Sequence, residues 1–531
     1  MTASIDARSL RAWLADGAEI ALIDVREAGQ FGEGHPFFAV NLPYSQLEKL
    51  APRLLPRRSV RTVVYSDAGD GLDQRAAARL AALGYDDLYL LQGGAQGWAE
   101  AGCVLFRGVN VPSKTFGELV EQVFHTPRIP AQELARRQAA GEPLLLVDGR
   151  TPEEYRRQTV PGALPLPNGE LALRLAALLP DATTPVVVHC AGRTRSIVGA
   201  QTLRNLGLPN PVVALENGTQ GWKLAGYELR YGSAEPVPPR PAADALPLLR
   251  ERAARLAARH GAPVLSAAQA QDWLDDAVRT TYLIDVRSAE EFAAGSLPGA
   301  VQVPGGQLVQ STDLSVGVRN SRLLLLDDEA VRAPVAASWL RQLGFEAATV
   351  EGGIAARIHP PARPSSAQQL VGSSTYPIPL LDAAAVAARH ARAGTAWIDL
   401  RGSRAYRAGH GAGVAWSIRP RITAAVPQGA AAIVLIAEDA GTAALAAQDL
   451  REAGHADIAW TTQAAWQQAG LPTEATPQLP ADADAIDYLL FVHDRHDGNL
   501  DAARAYLAWE TGLIGQCQPD ELAVFRLPAA A

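Results

Sequence analysis

Short apolar runs bounded by polar turns recur along the chain, and most of them do not alternate. Leu144 to Val147, Val186 to Val188 and Ile433 to Ala437 are apolar at every position. Runs of that length and pattern suit parallel strands covered by helices on both faces. Between them lie stretches with apolar residues at helical spacing, such as Ser9 to Leu14 and Ala267 to Leu274. The order that emerges is helix, strand, helix, short strand, helix, strand, loop, helix, strand, helix. This predicts an α/β fold whose mainly parallel sheets are flanked by helices.

The order recurs because the sequence does. Ile23-Asp24-Val25-Arg26, Val147-Asp148-Gly149-Arg150, Ile284-Asp285-Val286-Arg287 and Ile398-Asp399-Leu400-Arg401 share one phrase. Five residues after each arginine stands an aromatic: Phe31, Tyr155, Phe292 or Tyr406. Thirteen residues beyond the aspartate two copies read Pro-Gly-Ala, at Pro161 and Pro298, and at nineteen three copies have proline, at Pro43, Pro167 and Pro304. The aspartates lie 124, 137 and 114 residues apart, so the copies are tandem domains rather than solenoid units. Copies one and two close alike, on Gly93-Gly94 through Trp98 and on Asn217-Gly218 through Trp222. Copy three keeps Gly352-Gly353 and copy four keeps Trp466. Both Trp98 and Trp222 read as packing residues.

The expected domains are residues 1–108, 125–232, 262–360 and 375–475, with a helical tail over 480–531. Linkers fall at the proline-rich Glu235 to Pro241 and at Pro360 to Ser374. After the first comes a helix whose Arg250, Arg252, Arg255 and Arg259 read as a solvated face. The tail is expected to hold two amphipathic helices, Tyr488 to Val492 and Ala502 to Trp509. His493 and His496 beside Asp494 and Asp497 have metal-ligand spacing if helical. Asp497-Gly498-Asn499 reads as a turn, so the cluster reads as a polar helix end. No metal and no cofactor are expected.

One copy carries chemistry the others lack. Its strand Val186 to His189 runs into Cys190-Ala191-Gly192-Arg193-Thr194-Arg195-Ser196, where a helix opens. A cysteine at a strand end facing a helix N-terminus is where a thiol is most easily kept as thiolate. Loop N–H groups and the two arginines would converge on an anion. Strand alternation turns His189 to the opposite face, as a packed histidine. Asp148 and Arg150, kept in all copies, read as structural. Thr194 and Ser196 read first as helix caps.

The chain has 531 residues, 48% hydrophobic and 20% charged, with a net charge of −8. That describes a soluble globular protein and argues against a nucleic-acid or membrane-surface partner. No apolar run approaches the roughly 20 residues a bilayer span needs, and Met1 to Trp13 lacks signal-peptide character. Three scattered cysteines, Cys103, Cys190 and Cys517, make neither a disulfide framework nor a zinc site, and Cys103 reads as inert. The expected compartment is the cytoplasm.

The repeated phrase, the Pro-Gly-Ala, the strand ending in Cys-Ala-Gly-Arg-Thr-Arg and the Gly-x-x-Gly-Trp close resemble the rhodanese family. The resemblance covers four repeats and implies five-stranded parallel α/β domains. Where the cysteine is present, it implies transfer of sulfane sulfur through a cysteine persulfide. The position of Cys190 is held by Ser66, Asp327 and Ala437 in copies one, three and four, which are expected to be inactive. The expected enzyme is a thiosulfate sulfurtransferase with Cys190 catalytic. Ala191, Gly192, Arg193, Thr194, Arg195 and Ser196 would bind the donor, with cyanide or a thiol as acceptor and a sulfur-acceptor protein as a further partner. One alternative is a non-catalytic scaffold or persulfide carrier. The other is a phosphatase, which the family's related loop would mark with an arginine where Ser196 stands. By the family's two-domain order, copy one is expected to pack on copy two and wall the Cys190 pocket, with copies three and four as a second pair.

Overall fold

The structure, a computed structural model, describes residues 2–361 and 378–528. In repeat 1, β1 (Ala3–Ile5), β2 (Ala21–Asp24), β3 (Val40–Asn41), β4 (Thr62–Tyr65) and β5 (Leu88–Leu91) form a parallel sheet in the order β1-β5-β4-β2-β3. Repeat 2 has the same order, with β6 (Arg128–Ile129), β7 (Leu145–Asp148), β8 (Leu164–Pro165), β9 (Val186–His189) and β10 (Val212–Leu215) arranged as β6-β10-β9-β7-β8. So does repeat 3, with β11 (Val264–Leu265), β12 (Thr281–Asp285), β13 (Val301–Gln302), β14 (Arg322–Leu326) and β15 (Glu346–Val350).

Repeat 4 keeps four of the five: β16 (Thr395–Asp399), β18 (Ala415–Trp416), β19 (Ala432–Ile436) and β20 (Ile458–Thr461). A single parallel bridge, Leu380 to Trp460, stands where its edge strand would be. A small antiparallel pair, β17 (His410–Gly411) and β21 (Thr473–Glu474), lies beside it. The expected parallel sheets flanked by helices are therefore what the chain forms.

The non-alternating runs are explained by burial on both faces of each sheet. In repeat 2, Leu146 and Val187 pack with Ile129, Tyr155 and Trp222 on one face, while Val147, Val186 and Val188 pack with Leu166, Leu171 and Leu203 on the other. Trp222 also ties its loop, Nε1 donating to Glu228 O at 3.0 Å; Trp98 and Trp466 do the same to Val104 O and Pro472 O.

Four helices bear on the loop after β9: α1 (Val111–Phe124), α2 (Pro152–Arg157), α3 (Thr194–Asn205) and α4 (Leu500–Gln516). The chain divides into two compact units. The first combines repeat 1, without Trp13–Ile20, and repeat 4 with the segment that ends at Phe491. The second combines repeats 2 and 3 with the chain from Val492 onward. Repeats therefore pair one with four and two with three, and not in chain order as expected.

Polar side chains on helix faces carry the pairing. In the first unit Arg419 donates to Glu48 at 2.8 Å and lies 4.4 Å over the Tyr44 ring, and Arg79 meets Asp449 at 2.7 Å. In the second, Arg332 meets Glu170 at 2.9 Å and Trp339 Nε1 donates to Thr202 Oγ1 at 2.8 Å.

The linker at Pro360 to Ser374 lies, from residue 362, outside the described residues. The expected helix over Tyr488 to Val492 is not formed: this stretch bends and turns. Asp494 at φ 54° and Gly498 at φ 100° keep the backbone turning until α4 begins. The second expected helix forms and is longer than predicted.

Candidate active site

The register sets the stage. Asp148 pairs with His189, so Cys190 leaves β9 at the carboxyl end of the sheet, the usual place for a ligand. Cys190 is 2% exposed. Its carbonyl accepts from Thr219 N at 2.8 Å, and Ala191 O accepts from Gln220 N and Nε2, each at 3.1 Å. This close approach needs Gly218: at φ +54°, a Cβ there would collide with Cys190 O. Gly94 and Gly353 meet Ser66 O and Asp327 O in the same way, which gives the repeated glycine its physical reason.

Around the sulfur the predicted loop residues separate into two groups. The Cys190 thiol donates to Ser196 Oγ at 3.6 Å, and that hydroxyl donates to Arg193 O at 2.7 Å. Ala191 and Gly192 are buried beside it. Arg195 lies within electrostatic reach of Cys190. Its guanidinium is buried and bound end-on by Glu154 of α2, at 2.6 and 2.7 Å. Burial pushes the Glu154 carboxyl up, but Arg195 outweighs it and holds the group down at about 2.

Arg193 turns away from the sulfur, to Glu118 at 2.7 and 2.8 Å and to Glu121, both on α1. Thr194 Oγ1 donates to Glu510 Oε1 of α4 at 2.7 Å. Of the expected donor-binding residues, Ser196 contacts the sulfur, Arg195 reaches it electrostatically, and Ala191 and Gly192 are buried in the same loop. Arg193 and Thr194 instead tie the loop to flanking helices.

His189 is fully buried behind the sheet, its Nε2 3.5 Å from Asp148 Oδ2 and 3.3 Å from Thr159 Oγ1. Burial lowers its basicity. It is the packed histidine that strand alternation predicts.

The other repeats show what the loop accommodates. Ser66, Asp327 and Ala437 follow β4, β14 and β19 directly, as Cys190 follows β9. In repeat 3 the Asp327 carboxylate accepts four backbone N–H groups, from Ala330, Val331, Arg332 and Ala333, at 2.8–3.1 Å. Those residues match Arg193 to Ser196 by position. In repeat 1 the Asp70 carboxylate accepts from Ser66 Oγ at 2.6 Å and Leu72 N at 2.9 Å. In repeat 4 Asp439 accepts from Thr442 N at 3.0 Å. Each loop without a cysteine is occupied by a carboxylate of its own.

Sequence reasoning missed the groups that enclose the site. Lys114, Glu118 and Glu121 come from α1, which belongs to no repeated phrase. Glu510 and Tyr506 come from α4. Gly117 lets α1 approach Thr194 closely, a Cβ there standing 2.7 Å from Thr194 Cγ2. Arg495 lies 4.4 Å over the Tyr506 ring. His496 is held down at about 3 by burial, with Arg495 and Arg150 adding to it. Only Glu154 had a sequence signal, as the third residue of the Thr151 capping box. Among the described residues no group of three His, Cys, Asp or Glu side chains is placed to hold a metal ion, and no helix is long and apolar enough to cross a membrane.

A parallel α/β domain that presents a buried cysteine to a helix N-terminus defines a class. The rhodanese-like domain matches residues 6–101, 130–225 and 266–357, more than half of the chain, and the chain belongs to the rhodanese family. A crystal structure of a thiosulfate sulfurtransferase from Pseudomonas aeruginosa is 38% identical over the full length of both chains, with a TM-score of 0.90. A sulfurtransferase of Allochromatium vinosum is 33% identical over 101 residues, 19% of this chain and 92% of that protein. A helix-turn-helix-type transcriptional regulator of Mycobacterium tuberculosis is 37% identical over 107 residues, 20% of this chain, and the match spans less than half of that relative's length, 45%. These likenesses support sulfurtransferase activity in general.

Proposed function

We propose that this chain takes sulfane sulfur from thiosulfate, or a related donor, onto Cys190 and passes it to a thiophilic acceptor, cyanide or a thiol. The Cys190 thiolate attacks the outer sulfur of thiosulfate. An S–S bond forms to Cys190, the donor's S–S bond breaks, and sulfite leaves with the electron pair. The acceptor then takes the outer sulfur and Cys190 returns as thiolate. Loop N–H groups from Ala191 to Ser196 hold the negative outer sulfur, and Arg195, steadied by Glu154, faces the developing charge.

The observation that carries this reading is the Asp327 carboxylate, an anion seated on the matching N–H groups of repeat 3. In this reading the repeat over 125–232 is catalytic, and those over 1–108, 262–360 and 375–475 are not. The whole-length likeness to a thiosulfate sulfurtransferase supports thiosulfate as donor. Ser196 at the place of a phosphatase arginine supports sulfur over phosphate. A reducing, cytoplasmic setting suits a persulfide carrier.

Steady-state transfer from thiosulfate to cyanide tests it. Cys190→Ser abolishes turnover, while Cys103→Ser and Cys517→Ser stay near the native rate; burial pushes the Cys517 thiol up to about 12. Turnover by Cys190→Ser at the native rate overturns the assignment.

A further inference from the structure

Glu510 is fully buried on α4, yet only one of its carboxylate oxygens is engaged. Oε1 accepts from Thr194 Oγ1 at 2.7 Å and from Lys114 Nζ at 3.2 Å, whereas Oε2 has no hydrogen-bond partner. That bare oxygen faces the catalytic loop, for a Cβ on Gly192 would stand 3.0 Å from it. Burial pushes the Glu510 carboxyl up, but Lys114 and Thr194 outweigh it and keep it below the usual carboxylate range. It is a charge at neutral pH. Glu118 and Glu121 have Arg193 and, at 3.5 Å from Glu121, Arg128 as partners, whereas Lys114 and Thr194 both bind Glu510 through Oε1 and leave the Oε2 side toward Gly192 uncovered. Arg195 is matched by Glu154.

A negative charge away from water repels a dianion twice as strongly as a monoanion, and it disfavours a neighbouring thiolate. Resting on the sulfurtransferase reading, we propose that Glu510 is a specificity-determining residue. It weakens the pocket's hold on dianionic donors and so favours sulfane donors of lower charge, the class of organic thiosulfonates and persulfides. Lys114 is its counterweight. Neither residue has to touch the reacting atoms, since both act through the potential at the loop.

The test compares thiosulfate, a dianion, with methanethiosulfonate, a monoanion carrying the same transferable sulfur. In Glu510→Gln, KM for thiosulfate falls by about three- to tenfold and KM for methanethiosulfonate falls less, so their ratio shifts toward thiosulfate. Iodoacetamide alkylates Cys190 faster at neutral pH in the same variant. Lys114→Gln shifts the ratio the other way, and the double variant returns it near the native value. General loosening of the fold would not move this ratio in opposite directions. Should Glu510→Gln fail to fold, Lys114→Gln alone still decides. A folded Glu510→Gln or Lys114→Gln protein with an unchanged or oppositely shifted ratio overturns the proposal. Absence of thiosulfate turnover in the native protein would instead overturn the underlying reading.

Discussion

Arg193 and Arg195 stand two residues apart, are both buried and both bind glutamate, yet their settings make different work of them. Arg195 reaches Cys190 electrostatically, while Arg193 is spent on Glu118 and Glu121. Arg195→Ala therefore raises KM for thiosulfate by about tenfold, toward the lower end of what a charge-assisted hydrogen bond is worth. Arg193→Ala raises that KM less than Arg195→Ala does, through the loss of one positive charge beside the loop, but lowers stability by roughly 3–5 kcal/mol, because it strands the buried Glu118 carboxylate. Steady-state kinetics beside thermal unfolding separate the two, and equal rises in KM would refute this division. The sequence places both arginines beside the cysteine, and Cys190 itself is legible from it. The division between the arginines is not, because Glu118 and Glu121 lie more than 70 residues upstream on a helix without a family signature.

At the scale of elements, the shared Asp-x-Arg phrase is a clip that holds each strand end to the following loop. Arg26, Arg150, Arg287 and Arg401 each grip their aspartate and then donate to the carbonyl eight residues on: Gly34, Gln158, Gly295 and Gly409. Recurrence in copies lacking the cysteine makes that structural role readable from sequence. Asp148 shows its pH consequence. Burial pushes its carboxyl up, but His189 and Arg150 outweigh that and hold it at about 2. A folded-state value below the unfolded one, about 3.9, means that the clip's contribution is complete above about pH 4 and lost as pH falls toward 2. The amount is about 3 kcal/mol. Urea unfolding of the native protein should show this loss between pH 4 and pH 2, and Asp148→Asn should be less stable at pH 7 and lack that part of the acid dependence. An identical acid profile in the variant would refute the role. The parallel strands are legible because burial on both faces dictates apolar runs. The tail's turns are not, since left-handed Asp494 has no apolar pattern to announce it.

Over the whole chain, four similar sheets sort into two units by pairing repeat 1 with repeat 4 and repeat 2 with repeat 3. The order of repeats along the sequence suggests neighbours instead. Pairing depends on single contacts such as Arg332 with Glu170 and Arg419 with Glu48, which follow no period a sequence reader can detect. A fragment of residues 1–235 cuts both units, and it also lacks α4 with Glu510. It should be poorly soluble or inactive, as sedimentation and turnover will show. A soluble fragment with near-native activity would contradict the division into units.

The proposed chemistry turns on one sulfur atom riding on Cys190. Mass spectrometry of the intact protein after incubation with thiosulfate, with peptide mapping afterwards, measures it directly. The expected result is a gain of one sulfur atom located on Cys190, lost on adding cyanide and absent from Cys190→Ser. An unchanged mass in the native protein, or the same gain in Cys190→Ser, would contradict it.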